Sequence, residues 1–213
     1  MTTVLPCAGV LFDCDGVLVD SAATISGSWT RWAEQMQVDP AAVIAAVHGR
    51  RSVDTAALFI DAVGLEVAIA LIDAIEIEDA ANLTAIPGAA ALLAAIPQER
   101  WAIVTSGSVP LASARLAAAG IALPPVMVTA DDVAHGKPHP EGYLAGARLL
   151  GLPAQQCVVV EDAPAGVRAA RAAGVGYVLG VGDHDFGEDR PDVTVPDLRH
   201  VRWTGAGLEI RQF

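Results

Sequence analysis

Ala8-Gly9-Val10-Leu11-Phe12-Asp13-Cys14-Asp15-Gly16 joins a short apolar run to two carboxylates and a glycine with nothing between them. A run of this length, bounded at once by turn residues, reads as a buried strand. The two acids then leave its end together. Paired acids beside a glycine also occur in ordinary solvated turns, so the rest of the chain has to decide what Asp13 and Asp15 are for.

Further apolar runs lie at Trp101 to Thr105, Val126 to Val128, Cys157 to Val160 and Gly176 to Leu179. Stretches with helical spacing separate them: Gly88 to Ile96, Val109 to Ala119, Pro140 to Leu150 and Ala163 to Ala173. Strand alternating with helix predicts an α/β protein built on a doubly wound parallel sheet. In such a sheet ligands bind beyond the carboxyl ends of the strands, where Asp13 and Asp15 would stand.

The interval from about Val17 to Thr84 breaks the alternation, with helical patterns over Ala22 to Met36, Pro40 to Val47, Val53 to Ala62 and Glu66 to Asn82 and no convincing strand. It is expected to be an inserted helical cap spanning 17–84, with 1–16 and 85–213 forming the α/β core. The tail from Asp183 to Phe213 is expected to finish the sheet edge and to carry no chemistry.

A chain of 213 residues can bury one large core and a small accessory unit. Its formal charge of −12 argues against nucleic-acid backbones and anionic membranes as partners, because neither finds a basic patch here. A small molecule is the expected partner, and no obligate protein partner is evident. The three cysteines, Cys7, Cys14 and Cys157, have neither metal-ligand spacing nor an even count for a disulfide framework, which suits a reducing cytoplasm. Neither a signal peptide nor a membrane span is expected.

Three more segments follow strand ends. Ser106-Gly107-Ser108 offers a hydroxyl and backbone N–H groups beside a helix start, which suits phosphate oxygens, although serine there is also a common N-cap. Gly136-Lys137-Pro138-His139-Pro140 fixes a lysine between helix-breaking residues. Glu161-Asp162 ends a buried strand with acids of the kind that hard Mg²⁺ favours, or that could cap the next helix. Four ambiguous signals in order on successive strand ends are difficult to credit to coincidence.

Asp13-x-Asp15, Ser106, Lys137 and Glu161-Asp162 resemble the four motifs of the haloacid dehalogenase superfamily, and the resemblance spans almost the whole chain. The insertion resembles that family's first type of cap. Gly136 to Glu141 and Val160 to Gly166 resemble its sugar-phosphatase and β-phosphoglucomutase branch. The resemblance implies a phosphatase of small phosphomonoesters, with Asp13 as nucleophile and Asp15 as general acid and base. Lys137, Ser106 and the Gly107 N–H, with Ser108 beside them, would hold the phosphoryl group. Mg²⁺ would be bound by Asp13, the Asp15 main-chain carbonyl and Asp162, with Glu161 acting through water. Dehalogenases lack an acid at the Asp15 position, because halide leaves unprotonated; the Asp pair favours phosphoryl transfer. Cys14, between the acids, is expected to be packing.

His48-Gly49-Arg50-Arg51 resembles the cap segment of glycerol-phosphate and deoxysugar-phosphate phosphatases. His48, Arg50 and Arg51 are therefore candidate substrate contacts, Arg51 first among them, against the alternative of charges solvating a helix end. A β-phosphoglucomutase would place Lys and Asn shortly after the second motif, where this chain has Val109 and Pro110. Hydrolysis is the expected outcome, with a mutase, a phosphoglycolate phosphatase and a phospho-acceptor signalling domain as alternatives.

Overall fold

In a computed structural model that describes residues 2–183 and 185–211, the strands are β1 (Thr2–Pro6), β2 (Gly9–Phe12), β3 (Val19–Asp20), β4 (Thr84–Ala85), β5 (Trp101–Val104), β6 (Met127–Val128), β7 (Cys157–Glu161), β8 (Tyr177–Val181), β9 (Val193–Val195), β10 (Val201–Trp203) and β11 (Gly207–Arg211). The helices are α1 (Ala22–Met36), α2 (Pro40–Val47), α3 (Ser52–Ala56), α4 (Leu65–Asp79), α5 (Ala89–Ala95), α6 (Val109–Ala118), α7 (Glu141–Leu149) and α8 (Pro164–Ala172).

A six-stranded parallel sheet in the order β6-β5-β2-β7-β8-β9 forms the centre. Its inner strands β5, β2 and β7 are buried throughout and almost wholly apolar because both faces are covered. Alternation then divides the side chains. Val10, Phe12, Ile103, Val158 and Val160 enter one apolar cluster, whereas Leu11, Ala102, Val104, Cys157 and Val159 enter the cluster on the other face. From β2 the chain builds outward through β5 to β6, then crosses to β7 and continues to β9. That reversal of direction beside β2 is a topological switch point, where an open α/β sheet leaves a crevice at its carboxyl edge.

The helical insertion has an apolar cluster of its own, which includes Trp29, Trp32, Val43, Val47, Ile72 and Ile75. Trp32 is anchored by an indole N–H donated to the Ala68 carbonyl at 2.8 Å. Val17, Leu18, Val19, Ala80 and Leu83 pack into the sheet's cluster instead.

Several expectations need correction. The interval read as strandless contains β3 and pairs it with β4 in a two-stranded antiparallel ribbon at the root of the insertion. Two residues per strand are too few to leave a periodic signal. The helix expected over Val53 to Ala62 ends early: Leu58 and Phe59 donate to carbonyls three residues back, and the Asp61 carboxylate accepts from Val63 N and Gly64 N at 3.2 and 3.0 Å. These local bonds compete with further helix. The tail does finish the sheet edge with β9, but β10 and β11 pair with β1 in a separate antiparallel sheet. β1 was not expected as a strand, since its partner lies at the far end of the chain.

Candidate active site

β2, β5 and β7 deliver their polar residues to one edge. Asp13 follows β2, with its N–H donated to the Val160 carbonyl at 2.9 Å, so the backbone is still in the sheet as the carboxylate leaves it. The chain turns at Gly16, where φ is +70° and a Cβ would collide with the Asp162 carboxylate. Glycine is needed twice over here, for the left-handed backbone and for the close approach of the acid from β7.

Lys137 Nζ lies 2.8 Å from Asp13 Oδ1 and 2.7 Å from Glu161 Oε1. Glu161 is fully buried. Its Oε1 also accepts from Tyr143 Oη at 2.7 Å, while Oε2 accepts from the Asp162 and Ala163 N–H groups, each at 2.9 Å. Four donors match the roughly four lone-pair sites of a carboxylate. Glu161 therefore holds Lys137 and satisfies free amides at the entry to α8. A Cβ at Gly166 would overlap that same carboxylate. Burial, opposed by Lys137 and reinforced by Glu161 and Asp15, raises the Asp13 carboxyl to about 7. Asp162 is pushed well above the usual carboxylate range by burial and by Glu161 and Asp13. Burial disfavours charged Lys137, but Asp13 and Glu161 outweigh it and hold the ammonium.

Oxygens of Asp13, Glu161 and Asp162 lie within 4.8 Å of one another. Five acids meet at this edge, Asp13, Asp15, Glu76, Glu161 and Asp162, against the two buried cations Lys137 and Arg115. That imbalance, visible in the raised Asp13 and Asp162, suits a divalent cation with hard oxygen ligands. The cluster could hold one.

Asp15 stands beside a network that sequence reasoning missed. Its Oδ1 accepts from Ser21 Oγ and its Oδ2 from Arg115 Nη1, both at 2.7 Å. Arg115 Nη2 in turn donates to Glu76 Oε1 at 2.7 Å. Arg115 comes from α6 and Glu76 from α4, so the Arg115 guanidinium links the Asp15 carboxylate to the insertion through a buried ion pair. Burial raises the Glu76 carboxyl despite the pull of Arg115, whereas at Arg115 burial is outweighed by the attraction of Asp15 and Glu76, which holds the guanidinium charged. A signal existed: each residue is a lone charge on the buried face of its helix, Arg115 with Leu111, Ala112 and Leu116, Glu76 with Ala68, Ile72 and Ile75. Such residues are rarely buried unpaired.

Of the remaining candidates, Ser106, Gly107, His48 and Arg50 join the acids in one cleft, and Ser108 and Arg51 do not. Ser106 Oγ donates to the Gly49 carbonyl of the insertion at 3.1 Å, and the Gly107 N–H donates to Thr105 Oγ1 at 3.0 Å. Both residues line a cleft with Asp13, Asp15 and Asp162, whereas Ser108 is the N-cap residue of α6 and is outside the lining. His48 and Arg50 line the cleft as well, and Ile25 and Trp29 add apolar lining. Arg51 does not line it. Its guanidinium is taken up by both Asp54 oxygens, at 2.7 and 2.9 Å, and by the Val133 carbonyl at 3.0 Å. Cys14 is fully buried, and burial with Asp15 and Asp13 beside it pushes its thiol well above the ordinary range, which suits packing and not nucleophilic attack.

A family model for haloacid dehalogenase-like hydrolases matches residues 7–174. The chain belongs to the haloacid dehalogenase superfamily. Within it, the chain is similar to hexitol phosphatase A of Escherichia coli K12, 46% identical over 176 residues that cover 79% of this chain and 80% of that one. It is also similar to glycerol-1-phosphate phosphohydrolase 2 of Saccharomyces cerevisiae, 34% identical with 93% and 86% covered. Among solved structures, a hydrolase from Pseudomonas syringae superimposes with a TM-score of 0.80 at 27% identity, covering 90% of this chain and 94% of that one. These likenesses place it in the sugar-phosphatase and β-phosphoglucomutase-like branch of the superfamily, as an enzyme of the phosphatase kind.

Proposed function

We propose that this enzyme hydrolyses the phosphomonoester of a neutral polyol or sugar through an aspartyl-phosphate on Asp13. The observation that carries the choice of leaving group is Arg115. It is a buried cation that lines the cleft, and its charge is already shared between Asp15 and Glu76. A second anionic group on the substrate, a carboxylate or another phosphate, would meet Glu76 there without an uncommitted buried cation. Hydroxyl groups fit better, since they can donate to the Glu76 carboxylate. The similarity to a hexitol phosphatase and to a glycerol-phosphate phosphohydrolase supports the same class. Val109 and Pro110 at the start of α6 offer no side chain to grip the second phosphate of a mutase substrate.

In this reading residues 17–84 are the cap, and 1–16 with 85–213 are the catalytic domain. Lys137 fixes Oδ1 of Asp13, leaving the carboxylate oriented for attack on phosphorus, with formation of the acyl phosphate and departure of the alkoxide. Asp15 gives that alkoxide its proton and later takes one from the water that cleaves the intermediate. Both Asp15 oxygens now accept hydrogen bonds, the arrangement that suits the second of these steps. For the first, Arg115 must yield Oδ2, and Glu76 keeps the guanidinium anchored when it does. Ser106 and the Gly107 N–H would exchange their present internal partners for phosphoryl oxygens. Asp13, Asp162 and the Asp15 main-chain carbonyl would hold Mg²⁺, which supplies charge neutralisation for the phosphoryl group.

Phosphate release with Mg²⁺ across a panel of hexitol, glycerol, deoxysugar, glycolate and bisphosphorylated substrates tests this. The polyol and sugar monophosphates should lead in kcat/KM. A preference for phosphoglycolate or for a bisphosphate would overturn the assignment.

A further inference from the structure

The loop that carries Lys137 also carries a second cluster of metal-type ligands on its outer side, away from the catalytic acids. His135 Nδ1 lies 3.2 Å and His139 Nδ1 3.8 Å from the same oxygen, Oε2 of Glu141. The two imidazoles face each other with ring centroids 4.6 Å apart and planes tilted by 39°, and the ligand atoms all fall within 4.8 Å. Bonds of about 2.0–2.1 Å at a tetrahedral centre put neighbouring ligand atoms about 3.3 Å apart. The spacings here bracket that figure.

The carboxylate is already oriented. Glu141 Oε1 accepts from the Ala134 N–H and Oε2 from the His135 N–H, each at 3.0 Å. Such outer hydrogen bonds fix a ligating carboxylate before a metal arrives. The nearest cations are held by other acids: Lys137 by Asp13 and Glu161, and Arg51, which also feels the Glu141 charge, by both oxygens of Asp54. Both histidines are exposed, so a solvent molecule can complete the coordination. Two imidazole nitrogens and one carboxylate oxygen favour a divalent transition metal over Mg²⁺, which prefers an all-oxygen shell.

We propose that His135, His139 and Glu141 form a binding site for a divalent transition metal of the Zn²⁺ class, separate from the catalytic acids. Bound there, the metal staples the 133–140 segment to the first turn of α7 and stiffens the turn that presents Lys137. The proposal does not depend on which phosphomonoester the enzyme cleaves.

Calorimetric titration with Zn²⁺, in excess Mg²⁺ to occupy the catalytic acids, gives the direct test. One equivalent should bind the wild type. His139→Ala and His135→Ala should each weaken that binding by at least about tenfold, since loss of an outer-shell partner alone costs that much. Asp13→Asn and His48→Ala should bind as the wild type does. Co²⁺ should give tetrahedral visible bands that vanish in His139→Ala, and Zn²⁺ should raise the melting temperature of the wild type and Asp13→Asn but not of His139→Ala. No saturable Zn²⁺ binding, binding unchanged in both histidine variants, or binding lost with Asp13→Asn would each overturn the site.

Discussion

Asp13 carries a conflict that the fold imposes and a cation would relieve. Its carboxyl, raised to about 7 chiefly by burial, binds more protons folded than unfolded between about pH 4 and 7. In metal-free protein its ionisation therefore subtracts stability as pH rises through that window, and the loss is complete above it. Asp13→Asn should abolish turnover, because an amide is a poor nucleophile, yet melt higher than metal-free wild type by a margin that grows with pH to a few degrees. Melting curves from about pH 4 to 8 in chelator would show it; a margin independent of pH would mean that Asp13 ionises without penalty. Mg²⁺ should stabilise the wild type more than the variant. At the cap, Arg50→Ala should lower kcat/KM for a polyol phosphate about tenfold or more and spare a small aryl phosphate, the signature of a lost leaving-group contact. Arg51→Ala should lower both alike, because its guanidinium bonds to Asp54 and Val133 inside the protein. Paired kinetics on the two substrates separate these outcomes, and selective loss in Arg51→Ala would restore Arg51 as the substrate contact.

α8 is an element whose sequence obeys the site and not its own helical propensity. Alanine ordinarily stabilises a helix interior over glycine by about 1 kcal/mol, yet a Cβ at Gly166 would occupy the volume of the Glu161 carboxylate. Gly166→Ala should reverse the usual sign and destabilise by about 1–3 kcal/mol, as overpacking does. It should also reduce kcat, since Glu161 positions Lys137 and Lys137 positions Asp13. Urea unfolding and steady-state rates measured on the same variant check both; a stabilised, fully active Gly166→Ala would show that Glu161 has room to move. The short β3–β4 ribbon works similarly at the root of the cap, where its four residues fix how the helical insertion leaves the sheet.

For the molecule as a whole, cap and sheet domain meet across the buried pair of Glu76 and Arg115. Glu76→Ala leaves Arg115 with Asp15 as its remaining buried partner, so it should cost about 1.5–3 kcal/mol, the range for one lost hydrogen bond between charged groups. Combined with Arg115→Met it should cost less than the sum of the single changes, by about 0.5–3 kcal/mol. A double-mutant cycle by urea unfolding measures this, and strict additivity would mean that the two charges do not couple. The sequence by itself determined the parallel sheet, the helical insertion and the polar residues at strand ends, because each is written locally: in the length of an apolar run, in helical spacing, in acids set directly after a strand. Tertiary structure alone decided what depends on distant parts of the chain meeting. β1 is a strand because β11 lies beside it. Arg115 and Glu76 belong to the site because α6 packs against α4. Arg50, and not Arg51, lines the cleft that holds the acids, because Asp54 and Val133 draw its neighbour away. Each of these outcomes turns on which partner a group finds across the fold, and residues far apart in sequence leave no local pattern that records such a meeting.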